Sequence, residues 1–285
     1  MTSSYEQPPR ADSRTYADAE AELQRTGQAD YGNWVPASLM RLLLGLSGAL
    51  LLILALLLVL WSHLVVLIIV GVLCALMLTL TAYLELCRRL FAFDGGGLMG
   101  GLHEMVVDNL DWDGRGRLLD IGCGAGALTI RCARAFPTGD FTGIDRWGPG
   151  WNYAKDQCEA NARAEGVIAP IRFVRGDAAR LDFPDGAFDA AVSNFVFHEV
   201  RGQPDKRALV REALRVLRPG GAFSFQDMFD RPKFYGDMGS FIRQLRDEGI
   251  TDIEYIPRTE DVIGAPGWIK APRLIRGAGI IHGRK

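Results

Sequence analysis

The run Leu118-Leu119-Asp120-Ile121-Gly122-Cys123-Gly124-Ala125-Gly126 decides the fold. Its first four residues suit a strand, its three alternate glycines suit a tight turn, and the residues after it have the spacing of a helix. A glycine loop at such a junction lets backbone approach a ligand at the helix N-terminus. Downstream, short apolar runs alternate with helical ones. Strands are expected over 118–121, 141–145, 171–175, 188–194 and 221–226, with helices over 125–135, 152–165 and 206–217. That alternation predicts parallel βαβ units, hence an α/β fold with a doubly wound, mostly parallel sheet. A helix over 238–248 and strands over 253–256 and 274–281 complete the expected sheet.

Upstream the chain changes character. No Asp, Glu, Lys or Arg occurs from Leu42 to Leu84. One straight helix over that stretch would run ~65 Å, twice the ~30 Å hydrocarbon core of a bilayer. A transmembrane hairpin is therefore expected, with helices over about 42–60 and 64–84 and a break at Trp61-Ser62-His63. Arg41 precedes the first span, Arg88-Arg89 follow the second, and the break carries no Lys or Arg. By the positive-inside rule both termini, and the domain that follows, face the cytosol from a two-span membrane anchor. Ser47, Gly45, Gly48 and Gly71 are small enough to let the helices approach, though glycine is common in such helices anyway. The first 37 residues, rich in Ser, Gln, Ala and charge and carrying Pro8-Pro9, are expected to be a disordered tail. Asp94-Gly95-Gly96-Gly97 reads as a joint, followed by a helix over 98–110 and a domain that fills 94–285.

Over the whole chain 32 basic and 34 acidic residues leave a net charge of -2 with no basic stripe, which speaks against a nucleic-acid substrate. The five cysteines form no C-x-x-C and adjoin no His cluster, so neither a metal site nor a disulfide framework is expected and a reducing cytosol fits.

The glycine loop alone is not diagnostic, because Gly122, Gly124 and Ala127 also satisfy the G-x-G-x-x-A form of an NAD-binding fingerprint. Its neighbours discriminate. Asp120 would put a carboxylate near the ligand's charged end, attractive to the ammonium and sulfonium of S-adenosylmethionine (SAM) and repulsive to a pyrophosphate. Asp145, ending the second expected strand, suits the ribose hydroxyls of either cofactor. Asp177 follows the third strand and can accept from an adenine amino group, or serve a turn beside Gly176.

An acid before a glycine loop (Asp120 to Gly126), an acidic end to the second strand (Asp145), Gly176-Asp177-Ala178 after the third and Leu217-Arg218-Pro219-Gly220-Gly221 before the fifth occur in order. With them, residues 117–228 resemble a class I SAM-dependent methyltransferase. The resemblance implies a seven-stranded Rossmann-like sheet whose last strand runs antiparallel at the edge, and SAM as cofactor. It implies that Asp120 with Gly122, Gly124 and Gly126 holds the methionine end, Asp145 the ribose, Asp177 with Ala178 the adenine, and Asn194 the methionine and substrate side. Cys123 and Arg146, in the same loops, join the expected cofactor-binding set. Pro219-Gly220-Gly221 reads as a structural turn.

The run Asn194-Phe195-Val196-Phe197-His198-Glu199 leaves the carboxyl end of the fourth strand, the edge where open α/β sheets bind ligands. His198 is there the candidate general base, or a residue that orders the loop by hydrogen bonding. Phe195 and Val196 stand where some amino-directed methyltransferases have two prolines, which argues against methylation of bases or proteins. Trp147, Trp151 and Tyr153 either cover the cofactor or pack. Residues 259–272 are expected to be irregular, to contribute to the acceptor site and to meet the membrane through Val262 and Trp268, unless Trp268 is core. The expected activity is methyl transfer by a membrane-anchored enzyme to a small, amphiphilic or lipid-like acceptor. The alternatives are a non-catalytic membrane scaffold that binds SAM, and an NAD-dependent oxidoreductase.

Overall fold

The computed structural model describes residues 27–60, 63–93, 97–148, 155–270 and 275–285. They fall into two compact units, one over residues 32–101 and one over residues 102–285 together with the described residues before Gly32.

The first unit is a pair of helices, α1 (Ala37–Leu60) and α2 (Leu64–Leu90). Each contains an 18-residue stretch with a mean hydropathy of 2.9 and is long and apolar enough to cross a bilayer. The break expected at 61–63 separates them, with Trp61 and Ser62 outside the described residues. α2 outruns its expected end at 84 because Glu85, Arg88 and Arg89 continue the helix, Glu85 and Arg89 pairing at 3.0 Å one turn apart. Ser47 and Thr81 are buried between the helices, their hydroxyl oxygens 3.2 Å apart. Of the two readings of the glycines, the bland one holds: a Cβ on Gly45, Gly48 or Gly71 would meet nothing within 4 Å.

Residues 27–36, expected to belong to the tail, are among the described residues. The Asn33 amide donates to the Arg88 carbonyl (2.8 Å), Arg88 donates to the Val35 carbonyl (2.7 Å), and Trp34 lies 4.9 Å from Phe91. In the second unit the Asp30 N–H donates to Asn161 Oδ1 (2.9 Å) and the Asn161 amide returns a bond to the Asp30 carbonyl (2.8 Å). Side-chain amides thus saturate backbone groups that a free tail would leave to water. Residues 1–26 and the joint at 94–96 lie outside the described residues.

The second unit contains, in order, α3 (Leu98–Asp108), whose first turn falls in the helical unit, then β1 (Gly116–Ile121), α4 (Ala127–Ala135), β2 (Gly139–Asp145), α5 (Lys155–Ala164), β3 (Ile171–Arg175) and β4 (Phe188–Asn194). There follow α6 (Lys206–Arg215), β5 (Leu217–Asp227), α7 (Pro232–Tyr235), α8 (Met238–Asp247), β6 (Asp252–Pro257), α9 (Thr259–Val262), α10 (Gly267–Lys270) and β7 (Gly279–Arg284). The seven strands run β3-β2-β1-β4-β5-β7-β6, parallel except for β7, which is antiparallel to both neighbours.

Two expectations are corrected here. The antiparallel last strand is not at the edge but between β5 and β6, and it starts at Gly279 rather than near 274. A strand flanked on both sides is largely buried, as Ile280 and Ile281 are, with His282 and Arg284 only partly so. Gly283 permits the close pairing with β6, since a Cβ there would lie 1.9 Å from the Asp252 carbonyl oxygen.

Side-chain alternation along the strands feeds two cores. Leu119, Ile121, Ala191, Phe223 and Phe225 pack with Leu214 of α6 and Phe241 of α8, whereas Leu118, Ala190 and Val192 pack with Cys132 of α4 and Cys158 of α5. Helices cover both faces, as a doubly wound sheet requires. The carboxyl ends of β1, β2, β4 and β5 are thereby left as the open edge.

Candidate functional site

At that edge the glycine loop joins β1 to α4. Gly122 (φ +76), Gly124 (φ +55) and Gly126 (φ +84) all adopt left-handed backbone, and a Cβ on Gly122 would sit 2.3 Å from a methyl of Val196. Only glycine fits there without moving the β4 loop. The N–H groups of Gly122 and Cys123 both donate to the Ile144 carbonyl, at 2.8 and 2.9 Å, which ties the loop to β2.

Asp145 ends β2 half-buried, and its carboxylate oxygens accept from the N–H groups of Gly124 and Trp147, each at 3.0 Å. The Trp147 indole donates in turn to the Gly124 carbonyl (3.0 Å). Arg146 between them is exposed, and Trp151 and Tyr153 lie outside the described residues. The Gly176 N–H donates to the Asp145 carbonyl (3.0 Å), bringing the β3 loop alongside. In that loop one oxygen of Asp177 accepts from the Ala179 N–H (2.9 Å), so it makes the turn bond read as its alternative role. Ala178 is half-buried next to it.

Asp120 stands behind the loop rather than in it. It is 1% exposed and accepts from the Thr129 hydroxyl at 2.5 Å, on the face that packs against α4. Burial pushes its pKa up to about 7; the Thr129 bond opposes this and the charge of Asp145 adds to it. Cys123 is buried too, and burial raises its thiol pKa well above the ordinary value. Asn194, last in β4, keeps a buried side-chain Oδ1 with no partner among the described residues. Phe195 then turns through φ +55 while its N–H donates to the Gln226 carbonyl (2.8 Å).

A second cluster, not anticipated as such, lies where β4 and β5 end side by side. The turn Phe197–Glu199 aims His198 at Asp227, the last residue of β5. His198 Nδ1 lies 2.6 Å from Asp227 Oδ1, and the His198 N–H donates to Oδ2 at 3.2 Å. Asp227 is 0% exposed and also accepts from the Met228 N–H at 2.6 Å. Glu199 Oε1 lies 3.2 Å from His198 Nε2, and the rings of Phe195 and Phe234 flank the imidazole at 6.4 and 5.6 Å. Burial alone would lower the histidine's pKa; the hydrogen bond and charge of Asp227, with the charge of Glu199, outweigh it and raise the pKa above the ordinary 6.5. Tyr235, buried nearby, has its pKa pushed up by burial and by the same Asp227. Asp227 escaped sequence reading because its partner is 29 residues away. The available signal was an acid closing a strand, as Asp145 closes β2.

The segment expected to be irregular holds α9 and α10. Thr259 and Glu260 are buried: the Gln226 amide donates to Thr259 Oγ1 (2.9 Å) and the Gly277 N–H to Glu260 Oε1 (2.8 Å). Trp268 is not core but partly exposed, while Ile269 beside it is buried. Among the described residues no group of three His, Cys, Asp or Glu is placed to hold a metal ion.

The glycine loop, two strand-end carboxylates and an unmatched buried acceptor fit a ligand with a polar backbone-hugging end, a diol and an ammonium, as SAM has. Comparison with known proteins agrees. Residues 119–225 match a family model described as a methyltransferase domain. The chain is 34% identical over 146 residues to the fatty-acid O-methyltransferase of Mycolicibacterium smegmatis, covering 51% of this chain and 47% of that protein. It is also 34% identical over 106 residues to the demethylmenaquinone methyltransferase of Staphylococcus aureus, covering 37% and 40%. The chain thus spans less than half the length of these relatives. The crystal structure of a geranyl diphosphate C-methyltransferase from Streptomyces coelicolor A3(2) aligns with a TM-score of 0.51 at 18% identity, over 67% of this chain and 80% of that one. That likeness shows the fold.

Proposed function

The chain carries a class I SAM-dependent methyltransferase domain, and from that premise we propose that it is a membrane-anchored enzyme that methylates a small amphiphilic or lipid-like acceptor. Bound SAM supplies an electrophilic methyl group on a sulfonium. The protein's share is positioning and proton management. In this reading the loop Gly122–Gly126 offers bare backbone to the methionine end, Asp145 meets the ribose, Asp177 and Ala178 meet the adenine, and Asn194 Oδ1 accepts from the ammonium.

The observation that carries the acceptor side is the His198–Asp227 pair. Asp227 holds Nδ1, so Nε2 is the atom left to take a proton from an acceptor hydroxyl once Glu199 swings aside. Phe195 and Phe234 offer apolar walls to a hydrocarbon body. The named relatives act on a fatty acid and on demethylmenaquinone, both lipid-like, which supports the same acceptor class.

The helical pair serves as the anchor, its charged ends (Arg41, Arg88, Arg89) in the cytosol and residues 61–63 across the bilayer. A Cys at Ser62 in a cysteine-free background should react with an impermeant thiol reagent added outside intact cells; reaction at Ser3→Cys instead reverses the orientation.

The activity is tested with full-length protein in lipid nanodiscs. Calorimetry should detect SAM and its demethylated product at micromolar affinity, and a radiolabelled methyl group should pass to an organic-extractable acceptor. Heat with NADH and none with SAM overturns the cofactor; SAM binding without any transfer across fatty acids and reduced quinones leaves a scaffold.

A further inference from the structure

Across the described part of the sheet unit, large apolar side chains reach the surface at only three positions, Val174, Val262 and Trp268. Two of the three, Val262 and Trp268, lie six positions apart in one connection, between β6 and β7. Exposure there is not looseness. Thr259 is held by Gln226, Glu260 by Gly277, and Ala265 and Ile269 are buried, so the inward half of the segment is pinned to the end of β5. The outward half presents Val262, 65% exposed, and Trp268, 37% exposed. A rigid segment that holds apolar groups in water loses hydrophobic stabilisation unless something covers them.

Charge and connectivity indicate the cover. From Arg258 to Arg276 the sequence has four basic residues (Arg258, Lys270, Arg273, Arg276) against two acids, within a chain of net charge -2. One of those acids, Glu260, is buried on the Gly277 N–H, so it does not offset the segment's basic residues at the surface. Tryptophan with basic neighbours is the composition that settles at an anionic membrane interface. The same chain has two helices long enough to cross a bilayer, so the domain is held at high local concentration near lipid. Gln226, which anchors Thr259, directly precedes Asp227, so the segment is tied to the same carboxyl end of β5 that carries the His198–Asp227 pair.

We propose that the outer face of residues 259–270, led by Val262 and Trp268, docks on the anionic bilayer and admits the acceptor from the lipid phase to His198. The proposal rests on the membrane-anchored reading above and deepens it: the acceptor is a membrane-dissolved amphiphile, not one delivered through water.

Its test uses the full-length protein in nanodiscs containing anionic lipid, with bimane attached at Val262→Cys, at Leu52→Cys in α1, or at exposed Arg172→Cys on β3. Quenching by nitroxide-labelled lipid should be strong at 52 and 262 and several-fold weaker at 172. Quenching at 52 but not at 262 overturns the docking face and leaves the anchor standing. Its absence at 52 overturns the anchor itself and the proposal with it. In parallel, Val262→Asp should raise KM for a nanodisc-held acceptor about tenfold, the order expected from losing one buried aliphatic contact, with SAM affinity retained as the check on folding. An unchanged KM overturns the proposal.

Discussion

The two units of this chain are turned inside out with respect to each other. In the helical pair the large side chains are outside, Leu52 being 62% and Leu58 63% exposed, and the hydroxyls of Ser47 and Thr81 are inside. In the sheet unit phenylalanines and leucines are inside, and the polar residues buried there include the carboxyls of Asp120, Asp227 and Glu260. Burying a polar group is tolerated in either solvent only when it is partnered. In the helices the buried hydroxyls hold neighbours together, whereas in the sheet the buried carboxyls stand at the edge where chemistry is expected. The contrast can be broken at either end.

The largest effect is expected at the buried carboxyl of the sheet. Asp227→Asn should lower kcat by a hundredfold or more, the range for disabling a positioned general base, while SAM affinity stays within a few-fold. The pH profile separates this from a merely structural defect. His198 has its pKa raised by Asp227 against the pull of burial. As a base it acts when neutral, so activity falls with pH below that raised pKa. Without Asp227 burial prevails, and the acid limb should move to lower pH. A uniform loss of activity with the limb unmoved would remove His198 from the reaction.

Next in size is Leu52→Arg, which puts a charge on the outer face near the centre of α1. In lipid this costs about 2.5–3.5 kcal/mol, enough to shift much of the protein out of the carbonate-resistant membrane fraction. In water the same change on an exposed leucine would be nearly silent. An unaltered fraction would therefore mean that α1 does not cross a bilayer.

How far the sequence was legible follows the same contrast. Local patterns were readable: the charge-free stretch that became α1 and α2, and the acids and glycines that mark the ends of β1 to β3. Long-range pairings were not. His198 stood out as a titratable residue at a strand end, but Asp227 comes to it only through the register that sets Asn194 opposite Gln226. The insertion of β7 between β5 and β6 left no local trace except Gly283, whose need for close approach is visible only once the neighbour is known. Asp120 was noticed as an acid beside the loop, but strand alternation sends its side chain toward α4, so the effect expected on a ligand is through its field rather than by direct contact.

That field gives a third, smaller effect. Asp120 has a folded pKa of about 7 against an ordinary 3.8. Between those values the folded protein keeps a proton the unfolded chain has lost, so stability falls as pH rises through that window and is fully retained below it. Asp120→Asn should abolish this slope, gaining stability relative to wild type as pH rises from about 4 to about 7. A cationic ligand favours the ionised carboxyl, so wild-type SAM affinity should rise a few-fold from about pH 6 to about pH 8 and the Asn variant should be flat. Equal pH profiles for the two proteins would mean that Asp120 does not sense the site.

The smallest effect is expected at the polar pair inside the helices. Thr81 Oγ1 already donates to the Met77 carbonyl at 2.8 Å, so in the contact with Ser47 it is the acceptor and Ser47 the donor. Removing Ser47 leaves the Thr81 proton satisfied. Removing Thr81 lets the Ser47 hydroxyl turn to a carbonyl one turn back along its own helix. Neither deletion strands a polar group, so the coupling between Ser47→Ala and Thr81→Val in a double-mutant cycle should be only about 0.6 kcal/mol, typical of hydroxyl pairs between membrane helices. Reversible unfolding in mixed micelles measures it. A coupling near 2 kcal/mol would mean that a buried polar group costs as much to unpair here as in the sheet, and the division between holding and acting would fail.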